Sequence, residues 1–297
     1  MSTGLRDAAV GFASDEPAAT DSAREFAFSD ADFRSLAQYA YDQAGIALAD
    51  NKRNLVYGRV SRRLRALNLT TFREYREHLA ATPSELEAFI NAISTNLTKF
   101  FRESHHFDHF RANVAVPFAQ ARQAGGRRLR VWSAGCSTGE EPHTIAVVLK
   151  REIRNIQHHD VRILATDIDT EVIAKGKFGE YPVNSIEEVP KVYREYFRTA
   201  AGNGNTNNVV VADEVRSLIT FRRLNLIEQW PFSGLFDAIF CRNVMIYFDN
   251  PTKAALVDRL TQQIKPGGWL YIGHSESLIG AHPGLTLVGR TVYRREA

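Results

Sequence analysis

Residues 129–152 read LRVWSAGCSTGEEPHTIAVVLKRE: an apolar run, a turn of small residues, then a stretch with helical spacing. Leu129 to Trp132 has the length and apolarity of a buried strand, Ser133 to Gly139 carries no bulky side chain, and Glu140 to Glu152 reads as a helix. A second apolar strand, Val161 to Thr166, follows. Strand, helix and strand in that order predict parallel pairing through a right-handed crossover, the unit of a doubly wound α/β sheet.

The alternation returns downstream. Phe236 to Cys241 reads as a strand, Pro251 to Ile264 as a helix, Lys265-Pro266-Gly267-Gly268 as a turn and Trp269 to Ile272 as another strand. Between Lys177 and Arg223 it breaks into a helix-like stretch (Glu187 to Phe197), a Gly/Asn loop (Gly202 to Asn208) and the apolar Val209 to Val211. This stretch, 178–222, is expected to be a small strand-rich insertion. Upstream, residues 28–95 read as a small all-helical unit. Ser29 caps a helix with Phe33, Leu36, Ala37, Ala40 and Ala44 on one face, and Asn51 to Leu67, Thr71 to Ala80 and Pro83 to Ile93 follow. Residues 1–27, rich in Ala, Ser, Asp and Glu without apolar periodicity, read as a disordered leader. The α/β domain is then 96–297.

A chain of 297 residues with 44% hydrophobic side chains can bury a sizeable core. It has no apolar run of about 18 residues, and its start lacks a charged segment followed by an apolar one, so neither a membrane span nor a signal peptide is expected. The expected compartment is the cytoplasm. Cys136 and Cys241 are too few for a four-cysteine zinc site and read as core or cleft residues, so no metal is expected. The net charge of +3 hides a concentration: Asn51 to Ala80 holds eight Lys or Arg against two Glu, a local +6 that leaves −3 for the rest. Such a patch implies an acidic partner, whether nucleic acid, anionic lipid or an acidic protein.

In a doubly wound sheet the ligand sits beyond the carboxyl ends of the strands. Three loops there carry suitable residues. Ser133 to Gly139 lets backbone approach a ligand closely and is followed by Glu140, although it misses the Gly-x-Gly-x-x-Gly pattern and also fits a plain tight turn. Asp167, after the second strand, suits a ribose, whereas Asp169 precedes a helical pattern and reads as its N-cap. The third loop, Cys241 to Phe248, offers Arg242, Asn243 and Tyr247.

Five ordered motifs carry a resemblance: Asn96-Leu-Thr98-Lys-Phe-Phe-Arg102-Glu, Ser133-Ala-Gly-Cys-Ser-Thr-Gly-Glu140-Glu141-Pro, Thr166-Asp167-Ile-Asp169, Cys241-Arg242-Asn243-Val-Met-Ile-Tyr247-Phe and Gly273-His274-Ser275-Glu276-Ser277. Over nearly everything from Phe33 to Tyr293 the chain resembles the CheR family of chemoreceptor glutamate methyltransferases. The resemblance implies a Rossmann-like S-adenosylmethionine-dependent methyltransferase domain, with S-adenosylhomocysteine as product. It places the cofactor against Asn96, Thr98, Arg102, Glu140, Asp167, Asn225, Leu226, Arg242 and Asn243. Without it, Asn96 and Thr98 would read as a helix end and Asn225 as a polar loop residue.

A glutamate with a pKa of about 4.3 is already an anion at neutral pH, so methyl transfer to it needs no general base. The resemblance implies Arg102 and Tyr247 as the residues that orient the carboxylate; Arg102 also fits a purely cofactor-binding or interdomain ion-pair role. Chemoreceptor cytoplasmic helices are the implied partner, and the basic helix is their expected reader. At roughly 100° per residue, Lys52, Arg59 and Arg63 fall within about 40° of one another with Arg62 beside them, while Val56, Val60, Leu64 and Leu67 form the apolar stripe. Arg53 falls near the helix start, where it is expected to turn toward the cleft between domains. A solvated charged face is the alternative reading of the same pattern. Family members that capture a receptor's C-terminal tether peptide are expected to use basic residues in the insertion, but Val209-Val210-Val211-Ala212-Asp213-Glu214 has none, which points to direct docking. Two other functions would share these features: a nucleic-acid methyltransferase, which the absence of an Asn/Asp-Pro-Pro-Tyr motif opposes, and a non-catalytic S-adenosylmethionine-sensing module, which the intact Arg242 to Tyr247 loop opposes. No nucleic acid and no membrane insertion are expected.

Overall fold

Capping residues set where the first helices begin and end. Helix α1 (Asp30–Ala44) opens on Ser29, whose hydroxyl accepts from the Asp32 N–H while Asp32 returns the bond, and stops at Gly45, whose φ of 70° suits glycine. Helix α2 (Arg53–Leu67) ends on left-handed Asn68. Helix α3 (Phe72–Ala81) repeats the capping box with Thr71 and Glu74, and α4 (Pro83–Ile93) carries proline in its first turn. Their apolar faces meet in one core around Leu36, Val56, Val60, Leu64, Phe72, Tyr75 and Phe89.

The computed structural model describes residues 24–121, 126–200, 207–276, 278 and 282–296. Residues 1–23 of the expected leader lie outside the described residues. Residues 24–27 correct its boundary. Arg24 bonds Asn54 at 2.7 Å, Glu25 pairs with Arg65 at 2.7 Å, and Phe26 packs against the helical core. One apolar side chain and two charge contacts suffice to hold this segment, which periodicity alone could not register.

The α/β domain follows through α5 (His105–Phe110), a π turn (Arg111–Ala115), α6 (Val116–Gln120), β1 (Arg128–Ala134), α7 (Glu140–Glu152), β2 (Asp160–Asp167), α8 (Thr170–Phe178), β3 (Glu180–Pro182), β4 (Phe197–Thr199), β5 (Asn208–Val211), α9 (Asp213–Arg216), β6 (Ile219–Arg223), β7 (Phe236–Cys241), α10 (Asn250–Gln263), β8 (Ile264–Ile272), β9 (Leu285–Gly289) and β10 (Val292–Arg295). Seven strands form the main sheet in the order β6-β2-β1-β7-β8-β10-β9. The first five are parallel, and β10 runs antiparallel to both its neighbours. Chain order reverses between β1 and β7, so the crevice outside their carboxyl ends is where a ligand belongs. Alternate residues serve opposite faces: Val131, Ala238 and Phe240 join α7, while Trp132, Ile239 and Leu270 join Leu256 and Leu260 of α10. Both cysteines are buried and unpaired, Cys241 in the α10-side core and Cys136 in a small cluster with Ala165 and Phe221.

The insertion is a three-stranded antiparallel sheet, β3-β5-β4. It is shorter than the expected 178–222, because β6 pairs with β2 and belongs to the main sheet. The helix-like Glu187 to Phe197 is instead a 3-10 turn, Lys191–Tyr196, that leads into β4. Tyr181 ties the insertion to the first loop: its hydroxyl donates to the Thr138 carbonyl at 2.8 Å and lies 2.9 Å from His143 Nδ1. The Lys265-Pro266-Gly267-Gly268 turn is absorbed into β8 as a bulge, since Phe236 opposes Ile264 while Ala238 already opposes Trp269.

Candidate functional site

The ends of β1, β2, β6 and β7 open onto one cavity of about 1010 Å³, its open mouth included. Gly135 and Ser137 contribute from the first loop, Asp167 and Ile168 from the second, Leu224 to Leu226 from the third, and Arg242 to Val244 with Tyr247 and Phe248 from the fourth. Two further walls come from elsewhere. Ala44 and Ile46 reach in from the end of α1, and the segment Ile93 to Lys99, which joins the two domains, runs along the cavity as a strap. Of the residues expected to hold the cofactor, Asn96, Thr98, Arg102, Asp167, Asn225, Leu226, Arg242 and Asn243 line this one space, and Tyr247 lies with them.

Glu140 differs. Its carboxylate accepts from the Thr138 hydroxyl at 2.7 Å and lies outside the lining; the next residue, Glu141, faces in. Helical phase decides between the two. Glu141 accepts from Ser133 at 2.7 Å and from Arg242 Nη1 at 3.0 Å, and burial still pushes its carboxyl above the ordinary range against the pull of that arginine.

Asp167 is fixed before any ligand arrives. Its two oxygens accept the N–H groups of Ser137 at 2.8 Å and Asp169 at 3.1 Å, while burial drives its pKa upward against them. Asp169 caps α8 through Glu171 and Val172, and accepts from the Asn96 amide at 2.8 Å, so its helix-cap reading holds. Asn225 donates to the Gln43 carbonyl at 2.8 Å, anchoring the end of α1 beside the cavity.

The fourth loop depends on a residue that sequence reasoning did not single out. Buried Glu276 accepts from the N–H groups of Asn243 (2.6 Å), Ile246 (3.2 Å) and Gly273 (2.8 Å), holding Asn243 in the left-handed region at φ 60°. A side chain at Gly273 would sit 2.6 Å from the Asn243 amide and 2.7 Å from Glu276. Only the Gly-His-Ser-Glu-Ser motif hinted at this.

The strap is held from three sides through its carbonyls. Arg59 Nη1 donates to Ala92 (3.2 Å), Ile93 (2.8 Å) and Ser94 (2.7 Å), the Tyr247 hydroxyl to Thr95 (3.3 Å), and Arg102 to Leu97 (2.8 Å). Burial raises the Tyr247 phenol above its ordinary pKa, so it remains a neutral donor. Arg242 completes the arrangement by donating to the Arg102 carbonyl.

The basic-helix arginines are engaged within the chain as well. Arg59 points at the end of α4, Arg63 forms a two-pronged bridge to buried Glu85 (2.9 and 2.7 Å), and Arg53 pairs with Asp30 and bonds the Phe28 carbonyl instead of turning into the cleft. Of these arginines, Arg62 stays exposed.

The cavity suits a cofactor with a purine, a ribose and an amino-acid end. Ile46, Ile168, Leu226 and Phe248 offer apolar surface, Asp167 a fixed carboxylate for hydroxyls, and Glu141, Arg242, Asn96 and Thr98 a polar end. Family models match both domains: the CheR all-alpha domain over residues 31–94 and the CheR methyltransferase SAM-binding domain over 96–293. The chain belongs to the CheR methyltransferase family. Chemotaxis protein methyltransferase 2 of Pseudomonas aeruginosa is 42% identical over 271 residues, covering 91% of this chain and 95% of the relative. The chemotaxis protein methyltransferase of Escherichia coli is 42% identical over 275 residues (90% and 91%), and a probable one of Rhizobium etli 43% over 259 (86% and 96%). As a CheR methyltransferase the chain uses S-adenosylmethionine, and the residues lining its cavity fit that molecule. No described helix is long and apolar enough to cross a membrane.

Proposed function

We propose that this CheR methyltransferase esterifies glutamate side chains on the cytoplasmic helices of chemoreceptors, working at the cytoplasmic side. S-adenosylmethionine supplies an activated methyl group when bound. One observation carries the choice of nucleophile: each carboxylate among the described lining residues is already engaged, Asp167 by two backbone N–H groups and Glu141 by Ser133 and Arg242. A base waiting for a proton is not what this wall offers. A substrate carboxylate needs none, being ionised at neutral pH.

The chain's work is then orientation and exclusion of water. Alignment of this kind contributes on the order of 7 to 11 kcal/mol in well-oriented reactions. Arg102 and Tyr247 orient the incoming carboxylate: both present donors at the cavity, and both now spend them on strap carbonyls that a substrate oxygen can replace. Neutral Tyr247 binds without over-stabilising the nucleophile, whereas too strong a pair would slow the reaction. Asn96, Thr98, Asp167, Asn225, Leu226, Arg242 and Asn243 hold the cofactor.

Docking on receptor helices relies on exposed Arg62, while Arg59 positions the strap. In the insertion, Arg198 pairs with Glu214 and Arg216 with Asp213, which supports direct docking over tether capture. Incubation with methyl-labelled cofactor and receptor cytoplasmic fragments tests the proposal: label should enter the fragments as base-labile esters, and label appearing in RNA instead would refute it. Binding of a receptor C-terminal pentapeptide detected by calorimetry would overturn the docking mode.

A further inference from the structure

Three buried polar atoms without a well-aligned hydrogen bond meet beside the cofactor cavity. Glu103 Oε2, His105 Nε2 and His106 Nδ1 are shielded from solvent and make no well-aligned hydrogen bond; Glu103 Oε2 lies 3.4 Å from both His106 Nδ1 and Arg242 Nη2, and the donor atoms of the three side chains lie within 4.8 Å of one another. A buried polar atom left without a hydrogen bond is costly, so two imidazole nitrogens converging on one carboxylate point to a shared ligand. The ring of His106 is fully buried, and its other nitrogen faces the Arg290 carbonyl at 3.2 Å and the Thr291 hydroxyl at 3.0 Å. A proton on Nε2 donates to that carbonyl and leaves the Nδ1 lone pair aimed at the cluster, the arrangement found behind metal-bound imidazoles.

Charge favours a cation. Glu103 and Glu141 share one guanidinium, Arg242, at 3.4 and 3.0 Å, so two carboxylates face a single fixed cation. His274 Nδ1 lies 2.9 Å from the other Glu103 oxygen on an exposed ring, so a further imidazole borders the three-residue cluster. Two imidazoles and a carboxylate suit a borderline first-row divalent ion. Bonds of about 2.0–2.1 Å need neighbouring donors closer than the present spread, so binding requires these side chains to contract around the ion.

We propose that Glu103, His105 and His106 bind one divalent transition ion of the zinc class, with His274 bordering the site. The ion competes with Arg242 for Glu103 and thereby loosens the cofactor wall.

Titration of the full chain with Zn²⁺ against a competing chelator tests this, together with X-ray absorption at the zinc edge. The expected result is one zinc per chain in a shell containing imidazole, binding weakened roughly ten-fold or more by His105→Ala, and S-adenosylhomocysteine affinity that falls on zinc saturation of the wild type. The absorption measurement on wild-type protein decides the matter even if a variant misfolds. A zinc shell without imidazole, no stoichiometric binding, or full affinity retained by both His105→Ala and His274→Ala overturns the site. Unchanged cofactor affinity in the zinc-loaded wild type overturns the coupling to Arg242.

Discussion

Two regions of this molecule concentrate charged and polar residues, and they use them in opposite ways. At the carboxyl ends of the sheet, residues from four separate loops converge on one space because parallel topology points every such loop the same way. On α2 the arginines share one short helix yet disperse: Arg53 to the start of α1, Arg59 to the end of α4, Arg63 to buried Glu85. Sheet topology imposes a common target on side chains distant in sequence. A helix face imposes none, and each long arginine satisfies whatever carbonyl or carboxylate lies within reach.

That contrast is open to attack at several points. Arg63→Ala would strand Glu85 in the helical core and is expected to cost about 3 kcal/mol or more in chemical denaturation; loss of receptor binding with unchanged stability would place Arg63 back on a docking face. Asp167→Asn removes the fixed charge from the cavity, and calorimetry should show S-adenosylhomocysteine binding weakened on the order of 100-fold, about 2.7 kcal/mol.

The third test concerns the buttress behind the first loop. Burial depresses the pKa of His143 from 6.5 to about 3. The unfolded chain therefore takes up this proton first on acidification. Its contribution to stability is whole above about pH 6.5 and lost as pH falls toward 3, by up to about 1.4 kcal/mol per unit. His143→Gln should flatten that part of the stability profile.

Smaller effects separate the remaining roles. Tyr247→Phe should lower kcat about ten-fold while cofactor affinity stays put; an equal fall in both would reduce Tyr247 to a piece of wall. Arg62→Glu should weaken receptor binding by only a few-fold, with an effect that fades as salt is added, as for a single exposed charge.

Legibility from sequence follows the same divide. The place of Asp167 in the cavity lining was readable because a rule of topology puts the loop after that strand at the ligand crevice. That Glu141 and not Glu140 lines the cavity was not: adjacent residues on a helix point about 100° apart, and Arg242, 101 positions away, pairs with the second. Glu276 was hidden for a similar reason, since it supports Asn243 from 33 residues downstream. Ala44 and Ile46 enter the cavity only because the helical domain docks there. The intrachain partners of the α2 arginines were not legible because helical phase gives a direction but not what lies at the end of it. Helix boundaries, by contrast, were set by local capping at Ser29, Thr71 and Pro83, and a sequence displays such signals openly.

The strap from Ile93 to Lys99 is both the covalent link between the two folding units and part of the cavity wall, with Ala44 and Ile46 facing it from the helical side. A molecule seated there touches both units at once and acts as a splint across their joint. By mass action, whatever the cofactor or its demethylated product contributes to the survival of one unit it also lends to the other. Saturation should therefore merge their melting into a single, later transition.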